Sequence, residues 1–290
     1  MQNSIEGRIV LITGCSSGFG LQTAAHLASR GCKVIATMRN LEKQNALLSE
    51  VQRRGGEVEV CRLDVTDKNS IKETITEIAA KYGYVDALVN NAGIGSLGFF
   101  EDLADEEIRQ MMDINFFGVQ NVTRQVIPMM RHRKQGKIIN ISSVSGFSAS
   151  PAFGSYNASK WALEAFSESL RYELRMFGID VLLIEPGVYR TNLFYENSHF
   201  ARHYDNPESP YYPLSQYIKK RIMEYVEDCH KDIEEVPVLI EKLIRAKNPS
   251  FRNIPDIEGK TLYVLRKILP FSVYSWVVRT AVFRGYKFEK

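Results

Sequence analysis

A chain of 290 residues with 44% hydrophobic and 24% charged side chains carries enough apolar material for a sizeable core, which excludes global disorder and suits one large α/β domain. A net charge of +3 is too mild for a nucleic-acid binder, and the one basic run, Arg131-His132-Arg133-Lys134, falls at the end of an expected helix. Cys15, Cys32, Cys61 and Cys229 form no CxxC pair and no metal-ligand spacing with histidine; no metal site is expected, and a reducing compartment is. The N-terminus lacks the charged and apolar regions of a signal peptide, so the expected location is the cytoplasm.

Ile9-Val-Leu-Ile, bounded by Gly7 and Gly14, reads as a parallel strand buried on both faces. A helix follows over about Gly18 to Arg30, with Leu21, Ala24, Ala25, Leu27 and Ala28 at helical spacing and Gly31 as the stop. Strands are predicted at Lys33–Met38, Val58–Leu63, Ala87–Asn90, Lys137–Ile141 and Asp180–Glu185. Helices are predicted at Leu41–Arg54, Ile71–Tyr82, Asp105–Arg133 and Asn157–Phe177. Parallel strands need crossovers, so this alternation predicts a single Rossmann-type, doubly wound parallel sheet with helices on both faces and ligands beyond the strands' carboxyl ends. The alternation stops after Thr191. The expected organisation is one domain over 1–290, with a cofactor and catalytic core at 5–191 and a substrate lid and C-terminal extension at 192–290.

Thr13-Gly14-Cys15-Ser16-Ser17-Gly18-Phe19-Gly20 joins the first strand to the first helix. Glycines there allow a tight turn and close backbone approach to a pyrophosphate, seated on the positive end of the helix dipole. Its G-x-x-x-G-x-G spacing resembles the T-G-x-x-x-G-x-G motif of the short-chain dehydrogenase/reductase superfamily. Asn90-Asn91-Ala92-Gly93, Ser143 with Tyr156-x-x-x-Lys160, and Pro186-Gly187 follow in that family's order. Cys-Ser-Ser-Gly and Val-Ile-Ala-Thr-Met-Arg are similar to the branch holding 17β-hydroxysteroid and retinol dehydrogenases.

The resemblance implies hydride exchange between a nicotinamide dinucleotide and a carbonyl or secondary alcohol. Tyr156 would be the general acid/base and Lys160, one helical turn on, would lower its pKa and bind the nicotinamide ribose. Ser143 would donate to the substrate oxygen, with neighbouring Ser142 the main ambiguity. Asn115 would hold a water of the proton relay, unless it is a structural hydrogen-bonder. Cofactor contacts are expected from Gly14, Ser16, Ser17, Gly18, Phe19 and Gly20 in the loop. Asn91, Ala92 and Gly93 would lie on the ribose side, and Pro186, Gly187, Val188 and Thr191 at the carboxamide. Asp64 and Val65 would meet the adenine, although Asp64 also reads as a turn cap. No carboxylate ends the second strand, and Arg39 stands where a 2′-phosphate would sit, so NADP(H) is preferred and NAD(H) is the alternative.

The aromatics of 192–218 suit a lid over a large apolar substrate such as a steroid, retinoid or long-chain keto compound. Phe147, Phe153, Tyr189 and Phe194, with Ser143, are its expected contacts. Leu262–Phe283 is apolar but interrupted by Arg266, Lys267, Pro270 and Arg279; packing on the pocket is favoured over a membrane-surface role. The family implies a homodimer or homotetramer. From another functional class, a non-catalytic dinucleotide-sensing regulator would keep the fold without turnover, which an intact catalytic set disfavours.

Overall fold

The computed structural model describes residues 4–191 and 198–287. The continuous apolar runs of the sequence become the buried strands β1 (Ile9–Thr13), β2 (Lys33–Met38), β3 (Val58–Arg62), β4 (Ala87–Asn90), β6 (Gly136–Ile141) and β7 (Ile179–Ile184). A short β5 (Gly95–Leu97) lies between β4 and β6 in the chain. With β9 (Arg252–Asn253), the main sheet has the order β3-β2-β1-β4-β6-β7-β9, every pairing parallel. The chain thus winds outward from β1 in one direction and from β4 in the other. The crevice opens where those two strands part, as in other doubly wound sheets.

Alternate strand residues face opposite layers. Val10, Ile12, Ile139 and Ile184 pack with α1 (Gly18–Ser29), α2 (Gln44–Arg53) and, from the tail, α8 (Glu235–Arg245). Ile9, Leu11, Ile138 and Val181 pack with α3 (Lys68–Tyr82), α5 (Gly118–Arg133) and α6 (Gly154–Arg175).

The single helix expected over Asp105–Arg133 is instead α4 (Asp105–Met112) and α5 separated by a π-helical turn at Asp113–Phe117. Such a turn widens the helix by one residue and is frequent at functional sites. Asn115 lies in it. Beyond residue 191, β8 (Ser198–Phe200) pairs in parallel with β5, and α7 (Tyr212–Glu227), α9 (Ile257–Ile268) and α10 (Phe271–Val282) complete the extension. Among the described residues no helix is long and apolar enough to cross a membrane.

Candidate active site

The loop after β1 is held open by two close backbone approaches. A Cβ on Gly14 would stand 2.7 Å from Ala92 Cα, and one on Gly20 would stand 2.3 Å from the carbonyl oxygen of Gly14. Gly14 also has φ +73°, in the left-handed region that glycine enters without strain. Asn91 locks this arrangement. Its Nδ2 donates to the carbonyls of Thr13 (2.9 Å) and Gly14 (3.0 Å), while its own N–H donates to Thr13 Oγ1 at 3.0 Å. The loop and the N-terminus of α1 therefore border a cleft of about 490 Å³, lined by Gly14, Ser16, Ser17, Gly18 and Phe19. Gly20 packs behind the loop rather than on the cleft wall. Chain and cleft fit a dinucleotide here: Cβ atoms at Gly14 and Gly20 would close the cradle that a pyrophosphate needs.

Tyr156 and Lys160 rise from the first turns of α6 and both line the cleft, at 8% and 6% exposure. Lys160 Nζ donates to the Ile141 carbonyl at 2.9 Å and lies 5.7 Å from the centre of the Tyr156 ring. Burial pushes the Tyr156 phenol up to about 12, against a lowering hydrogen bond from Ser143. Burial likewise brings Lys160 down to about 8, opposed by the charge of Glu164. The expected lowering of the phenol by Lys160 is thus not met by the chain's own groups: in a dry pocket desolvation of the phenolate outweighs an ammonium that is bonded elsewhere.

The two serines differ in what they face. Ser143 faces the phenol and accepts from the Ser145 N–H at 3.1 Å. Ser142 lines the cleft as well, but its hydroxyl lies toward Glu164. Asn115 does not line the cleft. It pins the start of β5, its Oδ1 accepting from the Ile94 N–H at 2.9 Å and its Nδ2 donating to the Ile94 carbonyl at 3.0 Å and to Ser159 Oγ at 3.1 Å. Ser159 in turn donates to the Tyr156 carbonyl at 2.8 Å, so Asn115 reaches the catalytic helix through one hydroxyl.

At one end of the cleft stand Arg39, Asn40 and Lys43 after β2, with Asp64 and Val65 after β3. Asp64 is also the turn cap that its sequence context allowed: Oδ1 accepts from the Thr66 N–H at 2.9 Å and hydroxyl at 2.7 Å. Asn91, Ala92, Gly93, Pro186, Gly187, Val188 and Thr191 line the middle. At the other end are Leu97, Phe153, Phe200 and, from α7, Lys219, Ile222 and Met223.

Two expected substrate contacts do not line the cleft. Tyr189 is 1% exposed and points into the α1–α8 layer, its ring edge-on to Phe19 at 5.3 Å and its hydroxyl donating to Glu235 at 2.7 Å. Its hydroxyl thus finds a carboxylate partner under the loop. Phe147 is turned toward α9, edge-on to Tyr263 at 5.1 Å. Phe153 holds its place on the wall, and Phe194 lies outside the described residues.

With this geometry in view, residues 8–201 match the family model described as short chain dehydrogenase. The chain belongs to that family. This short-chain dehydrogenase is 39% identical over 282 residues to the uncharacterized oxidoreductase YusZ of Bacillus subtilis, covering 95% of this chain and 99% of that one. It is 37% identical over 250 residues to a 3-ketodihydrosphingosine reductase of Bacteroides thetaiotaomicron, covering 86% and 87%. Human retinol dehydrogenase 8 is 42% identical over 184 residues, 62% of this chain and 58% of that one, which bears out the retinol-dehydrogenase resemblance. A crystal structure of a short-chain dehydrogenase from Streptomyces avermitilis superimposes with a TM-score of 0.79 at 32% identity, covering 98% of this chain and all of that one. The protein is an NAD(P)-dependent oxidoreductase.

Several residues that shape this dehydrogenase's site carried no local sequence signal. Asp256 reaches back from the N-terminus of α9 to accept from the Gly187 N–H at 2.9 Å, the Gly259 N–H at 2.8 Å and Lys231 at 3.0 Å. Burial raises its carboxyl, but these donors outweigh that and hold it below the ordinary range. Lys43 follows a polar helix start and reads as solvated charge until β2 and β3 are paired. Ile222 and Met223 reach the cleft only because the tail folds back over it. For all four residues, what brings them to the site is distant in sequence, and periodicity records only which face of an element is apolar.

Proposed function

We propose that this dehydrogenase interconverts a carbonyl and a secondary alcohol on a large apolar substrate, with NADP(H) as its preferred cofactor and Tyr156 as the proton donor or acceptor. The observation that carries this reading is the meeting of Ser143, Tyr156 and Lys160 in a cleft that has Arg39 and Lys43 at one end and, beside Lys219, mostly apolar side chains at the other. Bound nicotinamide supplies or receives the hydride. Gly14, Ser16, Ser17, Gly18 and Phe19 would hold the pyrophosphate, and Asn91, Ala92, Gly93 and Lys160 the nicotinamide ribose. Pro186, Gly187, Val188 and Thr191 would hold the carboxamide. Arg39, with Lys43 beside it, would pair with a 2′-phosphate, a dianionic group that guanidinium binds in two-pronged fashion.

Ser143 orients the substrate oxygen and Tyr156 passes the proton at that oxygen. Lys160, on the same face of α6, sets the polarity behind the phenol, and Asn115 positions Tyr156 through Ser159. Leu97, Phe153, Phe200, Ile222 and Met223 favour an apolar chain or ring system over a sugar, and the 3-keto long-chain base in the name of the Bacteroides relative is one such substrate class.

Turnover followed at 340 nm with NADPH and NADH, against steroid, retinoid and long-chain keto compounds, tests the reading. Tyr156→Phe is expected to lose at least about 100-fold in kcat, the usual worth of a positioned acid/base, while still binding NADPH. Arg39→Ala is expected to raise the KM for NADPH about tenfold and leave that for NADH nearly unchanged. Tight dinucleotide binding with no turnover on any substrate would instead mean a sensor, and NADH preferred by the unsubstituted protein would mean an NAD(H) dehydrogenase.

A further inference from the structure

Helices α9 and α10 bury one side and leave the other bare. On α10, Tyr274 is buried and donates or accepts at Ser148, and Val282 and Phe283 join the apolar cluster beneath the lid with Ile222 and Phe153. The opposite side shows Val273 at 44% exposure, Trp276 at 65% and Val277 at 36%, with Phe271 at 68% where the helix starts. On α9, Ile257 (79%), Val264 (52%) and Ile268 (67%) recur at seven and four residues, one stripe of a helix turned to solvent. No other part of the described chain shows two adjoining helices with such outward stripes. A patch of this kind on a soluble domain marks a contact.

The charge around it says with what. Residues 259–290 hold seven cations, Lys260, Arg266, Lys267, Arg279, Arg284, Lys287 and Lys290, against one carboxylate side chain, Glu289. Glu258, just before that stretch in the chain, is engaged by Lys231 at 2.6 Å and Tyr225 at 2.7 Å. Arg266 covers the rings of Phe271 and Tyr274 at 5.3 and 5.1 Å, joining the two helices. A second copy related by twofold symmetry would set a surface of net positive charge, seven cations to one carboxylate side chain, against itself. Apolar and indole side chains flanked by lysine and arginine are instead what an interfacial helix needs: the apolar stripe enters the acyl boundary and the cations meet anionic headgroups.

We propose that the outer face of α9 and α10 docks this protein onto an anionic lipid surface. The docking rests on exposure and charge alone and does not depend on the substrate reading, although Val282 and Phe283 pack in one cluster with Phe153 and Ile222, which line the cleft. The test is co-sedimentation of the full chain with phosphatidylcholine vesicles, with and without about one-third phosphatidylglycerol, at low and high salt. The sequence has two tryptophans, so Trp161→Phe leaves Trp276 as the sole indole reporter.

Retention on the anionic vesicles, weakened by salt, with a blue shift of Trp276 emission is expected. A Val273→Glu/Trp276→Glu variant is expected to lose at least tenfold in retention while keeping its circular dichroism and NADPH binding. Absence of retention on anionic vesicles overturns the proposal, as does equal retention on neutral ones or undiminished retention of the variant. A fall in oligomeric mass in the variant, without vesicle binding by the parent, would also overturn it and assign the face to a second copy.

Discussion

Glu164 and Glu185 lie buried behind the strand end that carries Ser142 and Ser143, and one guanidinium serves both. Arg252 Nη1 donates to Glu164 Oε2 at 2.5 Å and also to Glu185. Burial raises both carboxyls, and their mutual repulsion, with one cation for two acids, pushes Glu185 up to about 8. The pair therefore keeps one proton near neutrality. Glu185 in the unfolded chain titrates near ~4.3, so the folded state holds a proton that the unfolded one has released. The resulting stability is fully present below that unfolded value and is lost as pH rises through about 8. Glu185→Gln mimics the protonated acid. Thermal melts from about pH 5 to about pH 8 are expected to show the parent losing roughly 3–4 kcal/mol that the glutamine variant retains. Parallel melting curves for the two proteins across that range would disprove the shared proton.

Each cofactor-facing loop is tied to an element far away in the chain. The Pro186–Thr191 turn leaves β7 and is held from the tail by Asp256, which is also the N-cap of α9. Asp256→Ala removes an N-cap and leaves the Gly187 N–H without its acceptor. It is expected to cost about 2–3 kcal/mol and to raise the KM for NADPH several-fold with a smaller effect on kcat. Tyr189→Phe is the contrasting case on the same turn. Loss of its bond to Glu235 is expected to cost about 1 kcal/mol and to leave both kinetic constants within about twofold, because the ring faces the core rather than the cleft. Steady-state kinetics beside denaturant melts check the pair. A change in substrate KM with Tyr189→Phe would return that residue to the substrate wall.

The long helix α6 carries exposed large side chains: Trp161 at 43%, Tyr172 at 69% and, just past its end, Met176 at 80%. Phe117, in the π-helical turn, is 46% exposed. With the homodimer or homotetramer that the family implies, this exposed surface is the one expected to pair two copies. Light scattering is expected to give twice the chain mass of 33.1 kDa, and Phe117→Glu/Trp161→Glu to give a monomer that keeps its circular dichroism. A monomeric parent at micromolar concentration would rule the interface out.

Much of this molecule was legible before any tertiary contact was known. Runs such as Ile9–Ile12 and Val181–Ile184 announce strands buried on both faces, and alternation with helices of apolar period 3.6 leaves few topologies besides a doubly wound sheet. The glycine loop and Tyr156-x-x-x-Lys160 are local too, because a tight turn and a one-turn helical spacing are properties of a few consecutive residues. Only the tertiary structure decided the rest. It turned Tyr189 and Phe147 away from the cleft and faced Ser142 and Ser143 toward different partners. It also broke Asp105–Arg133 at a π-helical turn and brought Asp256, Arg252 and Met223 to a site many residues away. The physical reason is common to all of these: burial, side-chain direction and pKa follow from what packs opposite, and for these residues that partner is brought in by the fold rather than by the neighbouring sequence.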